Sequence, residues 1–375
     1  MEGVKSFLDF VRYCIDEQQC VPTIKSWNAL FLFMQQQALV GIGFRGLKRM
    51  NAAGVEVPRD IVLQWYAMSE QIKLANQKMN RIAVDLVNFF REEGFRTCVL
   101  KGQGNALYYP DPYLRMSGDI DIWVEGGGNV VLPFSRRHFS CSKACYHHVD
   151  AGSYQGVEVE VHYRPLFMNN LIHNKRLQRW FEEQAQEQFM HEVELPDGAG
   201  CICVPTHYFN CIYQISHIYN HVIHEGVGLR QLVDYYYLLK AINFNDNPNL
   251  NAGHVGSNGL EFRNESLEST LRYLGLYKVT TAVMWVLHEA LGLEEKYLIV
   301  PPNEKLGKFL LDEIMRGGNF GQYNTDGSKK KPEGQVAHNL HRLQRDLCLL
   351  RYFPSEALCE PLFRTWHFFW RKMKG

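Results

Sequence analysis

The 375-residue chain carries 40 Lys and Arg against 40 Asp and Glu, so its formal net charge is zero. This balance excludes a protein that is basic as a whole, although it allows a local basic cleft. Hydrophobic residues make up 46% of the chain and charged residues 21%, which excludes a disordered chain and is typical of a globular one.

The first twenty residues include Glu2, Asp9 and Asp16 and contain no continuous apolar run, so we do not expect a signal peptide. No stretch approaches the ~20 apolar residues that a membrane-spanning helix needs. The ten cysteines show no paired C-x-x-C spacing, which argues against structural zinc. We therefore predict a cytoplasmic protein with reduced thiols and no membrane partner.

The first part of the chain predicts helices. Apolar residues recur at helical spacing over residues 7–14 and 27–34. Pro58 opens a longer helical pattern, which ends at Gly94. Residues 1–94 are therefore predicted to form an N-terminal helical region.

Short strand patterns follow, and they predict a small unit of strands and helices over residues 95–205. An apolar run occupies residues 97–100, and apolar and polar residues alternate over 119–124 and 157–162. The turn residues Pro196-Asp197-Gly198 predict a hairpin near the end of this unit.

Helical patterns return after Thr206 and predict a C-terminal helical region. Within it, the segment 316–335 is rich in Gly, Asn and Ser, and we expect a mobile surface loop there. The aromatic tail at 366–374 resembles an interfacial membrane helix, but its short basic run favours a helix that packs on the protein's own core. The predicted helices cover 208–224, 229–241, 267–277, 281–291 and 337–374.

Asp119 and Asp121 are the candidate metal ligands. They lie two residues apart in a predicted strand, so both carboxylates project from one face while Ile120 and Ile122 face the core. Like charges so close repel each other, and Mg²⁺, which favours one or two carboxylates together with substrate phosphates, removes the repulsion. By itself this pattern also fits two solvated acids on an edge strand.

Two neighbouring features favour phosphate chemistry. Lys101-Gly102-Gln103-Gly104 follows a strand, and glycines at such a place let backbone N–H groups approach phosphate oxygens. A third acid, Glu160, lies on a later strand with Glu158 and His162 on the same face. Two acids on one strand and a third on its neighbour are what a two-metal phosphoryl-transfer site requires.

A set of motifs connects these features to a known family. They are Leu100-Lys101-Gly102, Tyr109–Pro112, Arg115, Gly118–Ile122, Val159–Arg164, His217, His221, Gly228–Leu232 and Asp234. Together they resemble the nucleotidyltransferases of the DNA polymerase β-like superfamily, in particular a bacterial branch with an L-K-G … R … D-I-D … E-x-H pattern. The resemblance covers most of the chain. It implies an α+β fold, with a minimal nucleotidyltransferase palm (a mixed β-sheet with flanking helices) at 95–205 and helical regions at 1–94 and 206–375.

The resemblance also implies an enzyme that uses Mg²⁺ or Mn²⁺ to move an NMP group from an NTP to an unidentified acceptor. Asp119 and Asp121 match the metal-binding pair. Glu160 matches the third carboxylate, which activates the acceptor hydroxyl or completes a metal shell, and Glu158 is the reserve candidate.

On the nucleotide side, Gly102 matches the glycine of the phosphate-binding turn. The superfamily usually follows this glycine with Ser or Gly, whereas this chain has Gln103. The missing hydroxyl could be replaced by Lys101, Gln103 or nearby backbone N–H groups. The predicted nucleotide-binding residues are therefore Lys101, Gly102, Gln103, Arg115 and Ser117.

Structural alternatives remain open for several of these residues. Lys101 and Arg115 either neutralise a triphosphate or form a pair of salt bridges with the candidate acids themselves. His217, His221 and His224 share one helix face, where we favour interior or cleft histidines over a metal site.

Two other functions also remain open. One is a non-catalytic nucleotide- or partner-binding protein that keeps the palm, and the other is a His-dependent metallohydrolase. The acceptor of an enzyme would be a small molecule or a protein, because the neutral net charge disfavours a long nucleic acid.

Overall fold

The computed structural model describes residues 2–242, 267–323 and 335–374. Its first helices are α1 (Glu2–Ile15), α2 (Trp27–Gln36), α3 (Val40–Ala52) and α4 (Arg59–Glu92). Helix α4 follows directly after Pro58, which suits a helix start because its fixed φ is close to the helical value. It ends before Gly94, whose φ of 83° is easily adopted only by glycine.

The strands form one mixed sheet and one separate hairpin. The sheet has the order β1-β2-β4-β3, in which β2 and β4 are parallel and the other two pairs are antiparallel. Its strands are β1 (Thr97–Leu100), β2 (Ile120–Val124), β3 (His148–Tyr154) and β4 (Val157–His162), and the hairpin consists of β5 (Glu192–Leu195) and β6 (Gly200–Cys203). The predicted α+β class, with a small mixed sheet and flanking helices, is confirmed.

Helices lie between the strands and follow them. Up to residue 242 they are α5 (Gly102–Ala106), α6 (Gly128–His138), α7 (Leu171–Gln188), α8 (His207–His224) and α9 (Leu229–Ala241). The later ones are Leu267–Tyr273, Tyr277–Trp285 with a π-helical turn at Val286–Ala290, Glu304–Gly317, Gln335–Leu350, Pro354–Ala357 and Glu360–Lys374. The predicted helix at 267–277 instead ends at Tyr273, because Gly275 takes a left-handed φ of 76° before the next helix begins.

One face of the four-stranded sheet is apolar. The other, the polar face, carries the acids and histidines next to the buried side chains of Cys98, Leu100 and Trp123. Ile122 of β2 and Val161 of β4 belong to a buried apolar cluster that also contains Leu86 of α4. Because side chains alternate along a strand, Asp121 and Glu160 project from the opposite face. Residues of α8 and α9 lie across from this polar face and line a common cavity with it.

One side of the C-terminal helix packs against the protein itself, as the sequence predicts, whereas Phe368, Phe369 and Met373 of the same helix are exposed. Phe363 is buried and stacks on Phe167, with ring centroids 4.6 Å apart, and Trp366 contacts Tyr146 edge to face. No helix in the three described ranges is long and apolar enough to cross a membrane.

Two predictions about organisation are not settled by these elements. Most of the predicted mobile loop, residues 324–334, lies outside the described residues. Its described start completes one helix and forms a 3-10 turn at Asn319–Gly321. The division into regions at 94/95 and 205/206 stays a prediction.

Candidate active site

The register of the sheet brings acids and histidines from three strands together. Asp121 on β2 is paired directly with Glu160 on β4. On the other side of β4, Asp150 is paired with Glu160 and His148 with His162. All five side chains therefore belong to the polar face.

At the centre of this face, His162 bridges two carboxylates. Its Nε2 lies 3.0 Å from Oδ1 of Asp121 and 3.2 Å from Oε2 of Glu160. Asp121 and His162 are almost fully buried, whereas Glu160 is partly exposed. Potential ligand atoms of all three residues lie within 4.8 Å of one another, so this donor set fits a single divalent cation.

The other two predicted acids are placed differently. Asp119 precedes β2 and is not part of the strand, but it lines the same cavity. Among the described residues, no group of potential metal ligands within 4.8 Å of one another includes it, so its pairing with Asp121 stays a prediction. Glu158, the reserve candidate, is exposed and lies away from the cavity.

Lys101 reaches the carboxylates from the turn between β1 and α5. Its backbone has φ 55° and ψ −134°, a conformation that costs a non-glycine residue roughly 1–3 kcal/mol and is often found at functional sites. Its Nζ lies 2.8 Å from Oδ1 of Asp121 and 3.1 Å from Nε2 of His217. The ion pair that the sequence left as an alternative is thus present, at the edge of the cavity.

Gln103 and Ser117 lie outside the cavity lining. The Gln103 side chain is buried, and its Nε2 donates to Oδ1 of Asn80 on α4 at 2.8 Å. The Ser117 hydroxyl accepts a hydrogen bond from Nη1 of Arg115 at 3.2 Å. Both side chains therefore make structural contacts, whereas Lys101 and Gly102 of the same predicted set do line the cavity.

Arg115 is held by a buried carboxylate from α9. Its Nε and Nη2 donate to the two oxygens of Asp234, each at 2.8 Å, and the hydroxyl of Tyr109 donates to Oδ1 at 2.7 Å. Arg115 therefore pairs with Asp234 and not with one of the candidate metal-binding acids, which was the alternative that the sequence suggested. Arg230 of the same helix lines the cavity, and its Nη1 donates to the carbonyl of Met116 at 3.0 Å.

The histidines of α8 divide between cavity and interior. His217 and His221 line the cavity, with their Nε2 atoms 3.0 Å apart. His224 does not; its ring lies against the carbonyl of Asn220 and the side chain of Asn169. In the described part of the chain, none of the three belongs to a potential metal-binding group, and the preference for cleft histidines stays a prediction.

Sequence reasoning missed the residues that β3 contributes. The cavity is lined by His147, just before the strand, and by His148, its first residue. Nε2 of His148 lies 3.3 Å from Oδ1 of Asp150. The strand contains only Val149 and Ala151 as buried apolar residues, too short an alternation to be recognised. The adjacent histidines His147 and His148 are the feature of the sequence that marks this segment as part of the site.

The charges of the site balance one another. Burial would raise the pKa of Glu160, but the hydrogen bond from His162 and the charges of His148 and Lys101 lower it to about 2. Burial would lower the pKa of His148, but its bond to Asp150 and the charge of Glu160 help to raise it to about 10. Burial would likewise lower the pKa of Lys101, but the charges of Asp121, Asp119 and Glu160 together with Tyr213 raise it. In the absence of a cation, protonated side chains thus neutralise the carboxylates.

These groups surround a cavity of about 470 Å³, within the ~300–1,000 Å³ that is usual for ligand sites. Its wall combines three cationic side chains, Lys101, Arg115 and Arg230, with acids and imidazoles. An arrangement of this kind can hold a cation on one side and an anionic group on the other.

Comparison with known protein families yields a match over most of the described site. Residues 24–252 match the model of a family described as an uncharacterised nucleotidyltransferase. The matched segment runs from just before α2 to beyond α9 and includes the carboxylates, the cationic side chains and the histidines of the cavity. No curated protein and no solved structure matches the chain.

Proposed function

Because the chain belongs to a family of uncharacterised nucleotidyltransferases, we propose that it transfers an NMP group from an NTP to an acceptor, with Mg²⁺ or Mn²⁺ as cofactor. One observation carries the proposal. Ligand atoms of Asp121, Glu160 and His162 lie within 4.8 Å of one another on the wall of a cavity that also contains cationic side chains.

The carboxylates of Asp121 and Glu160 would hold the cation, with Asp119 at the same wall as the further ligand that the family pattern predicts. When bound, such a cation polarises the phosphoryl group and neutralises the leaving pyrophosphate. A low pKa favours Glu160 as a permanently ionised ligand over Glu160 as a general base, because an efficient base has a pKa near the working pH.

Two cationic side chains would contact the triphosphate. The ammonium group of Lys101 lies next to the carboxylate of Asp121. Arg230, on α9, lines the cavity. Arg115 has a different role, because Asp234 and Ser117 together occupy its Nε, Nη1 and Nη2. It is a positioning residue that connects the segment before β2 to α9, and its charge is balanced by Asp234.

The proposal is tested with two site variants and one control variant. Asp121→Asn and Glu160→Gln each remove one charge from the buried group, and we expect each to lower Mg²⁺-dependent pyrophosphate release at least ~100-fold. Glu158→Gln is the control for Glu160→Gln, because it removes an exposed charge from the same strand. Full activity in Asp121→Asn, with the fold intact by circular dichroism, would end the proposal.

A non-catalytic nucleotide-binding protein is the second candidate, and one observation favours it. Lys101 and His162 already neutralise Asp121 at 2.8 and 3.0 Å, so the carboxylates are stable without a cation. This candidate predicts that the protein binds Mg²⁺-NTP in calorimetry but releases no pyrophosphate with any acceptor. The size of the cavity is compatible with a small-molecule acceptor or a protein side chain.

A further inference from the structure

Three imidazoles and one carboxylate converge where β3 and β4 meet. Ring nitrogens of His147, His148 and His162 that could bind a metal lie within 4.8 Å of one another. Nε2 of His147 is 2.9 Å from Nδ1 of His148. Oε2 of Glu160 lies 3.8 Å from that Nδ1 and 3.2 Å from Nε2 of His162. All four side chains line the cavity, so an ion from solvent can reach them.

Two of these rings are oriented in the way that metal-binding histidines usually are. Such a histidine commonly has its second ring nitrogen bound to a carboxylate or a carbonyl, which fixes the ring. Nε2 of His148 lies 3.3 Å from Oδ1 of Asp150, and Nδ1 of His162 lies 3.4 Å from the carbonyl oxygen of Arg164. The remaining nitrogen of each ring is thereby directed toward the convergence point.

The third histidine, His147, is positioned by hydrogen bonds to its backbone carbonyl. The carbonyl of His147 accepts hydrogen bonds from the backbone N–H groups of Tyr163 and Arg164, at 3.0 and 3.1 Å. Its Nδ1 is buried and has no hydrogen-bond partner, which is a cost that a purely structural residue could avoid. Binding of an ion through Nε2 would explain why a histidine occupies this buried position.

We propose that His147, His148 and His162 bind a transition-metal dication of the zinc class, with the Glu160 carboxylate next to two of the three rings. Imidazole nitrogens are good ligands of Zn²⁺, Co²⁺ and Ni²⁺, whereas Mg²⁺ takes oxygen ligands. In tetrahedral zinc sites the metal–nitrogen bonds of ~2.0–2.1 Å place two ligand nitrogens roughly 3.3–3.4 Å apart. Nε2 of His147 and Nδ1 of His148 are at the hydrogen-bond distance of 2.9 Å, so the two rings would move apart slightly to hold the ion. This group shares His162 with the proposed Mg²⁺ site and lies next to its Glu160, but it differs from that site in chemistry.

The test uses the full chain and the metal alone. Protein stripped with a chelator is dialysed against Co²⁺ in the presence of millimolar Mg²⁺, and bound metal is measured by elemental analysis and visible absorption. We expect about one equivalent of Co²⁺ per chain, with the ligand-field bands of a nitrogen-ligated site, and its displacement by Zn²⁺. Absence of uptake, or displacement of Co²⁺ by millimolar Mg²⁺, would overturn the inference.

Variants then assign the ligands. His148→Gln and His147→Gln should each weaken Co²⁺ binding at least ~10-fold, whereas His138→Gln, at an exposed histidine on α6, should bind like the wild type. Wild-type affinity in both cavity variants would refute the assignment. If His148→Gln does not fold, His147→Gln and the wild-type spectrum still decide. Because the readout is metal content, the result is independent of whether the chain transfers nucleotides.

Discussion

Replacing Asp234 by Asn removes the charge that balances Arg115 in the protein interior, and we expect this change to destabilise the fold strongly. Both side chains of this pair are about 95% buried, at 4% and 5% exposure, and both contacts are 2.8 Å long. The guanidinium cannot lose its proton, so it would remain charged at a site where almost all of its surface is buried.

The magnitude follows from the geometry. Removing one partner of a buried ion pair typically costs about 3–5 kcal/mol, because the other charge is left without compensation. Asn keeps one acceptor, to which the hydroxyl of Tyr109 can still donate, so the loss is mainly that of the charge. Replacing both partners, as in Arg115→Met with Asp234→Leu, should cost much less, since no charge is then buried.

Urea unfolding followed by fluorescence measures the effect. We expect the Asp234→Asn midpoint to fall by about 1 M or more, given m values of ~3 kcal/mol/M for chains of this size. Glu268→Gln is the control, because it breaks an exposed pair with Arg272 that should contribute only about 0.3–0.5 kcal/mol. A cost below about 1 kcal/mol for Asp234→Asn, or a double variant less stable than the single one, would refute the reasoning.

Two further predictions concern packing and pH. Gly41→Ala should lower the free energy of unfolding by about 1–3 kcal/mol in the same assay, because the added Cβ would lie 2.1 Å from the carbonyl oxygen of Leu114. Gly317→Ala is the control, because a Cβ at Gly317 meets open space, and it should cost less than about 1 kcal/mol. Equal effects of the two substitutions would contradict this prediction. Because the folded state raises the pKa of His148 from 6.5 to about 10, its stabilising contribution is full below pH 6.5 and is lost as the pH rises toward 10. The free energy of unfolding should therefore fall more steeply over this range in the wild type than in His148→Gln, and parallel curves would count against the assigned contacts.

The parts of the site that could be predicted lie within single strands. The alternation around Asp121 and Glu160 indicated which face each acid occupies, because side-chain direction in a strand depends only on position along it. The strand order and the register that pair these two residues depend on contacts between distant segments. Sequence periodicity carries no information about such contacts.

The parts that could not be predicted depend on long-range contacts of polar residues. Arg115 and Asp234 are 119 positions apart, and their pairing follows from the docking of α9 against the segment before β2. Likewise, Gln103 faces Asn80 on α4 and not the cavity. The contribution of His147 and His148 was missed because β3 has too few apolar residues to reveal itself as a strand.

The most direct test of the account is to follow which phosphate moves. The protein is incubated with Mg²⁺, an acceptor mixture extracted from cells, and NTP labelled either at the α- or at the γ-phosphate. The account predicts that the α-label enters a product, that the γ-label leaves as pyrophosphate, and that Asp121→Asn abolishes both. Transfer of the γ-label, or release of inorganic phosphate without α-label in any product, would contradict nucleotidyl transfer by this cavity.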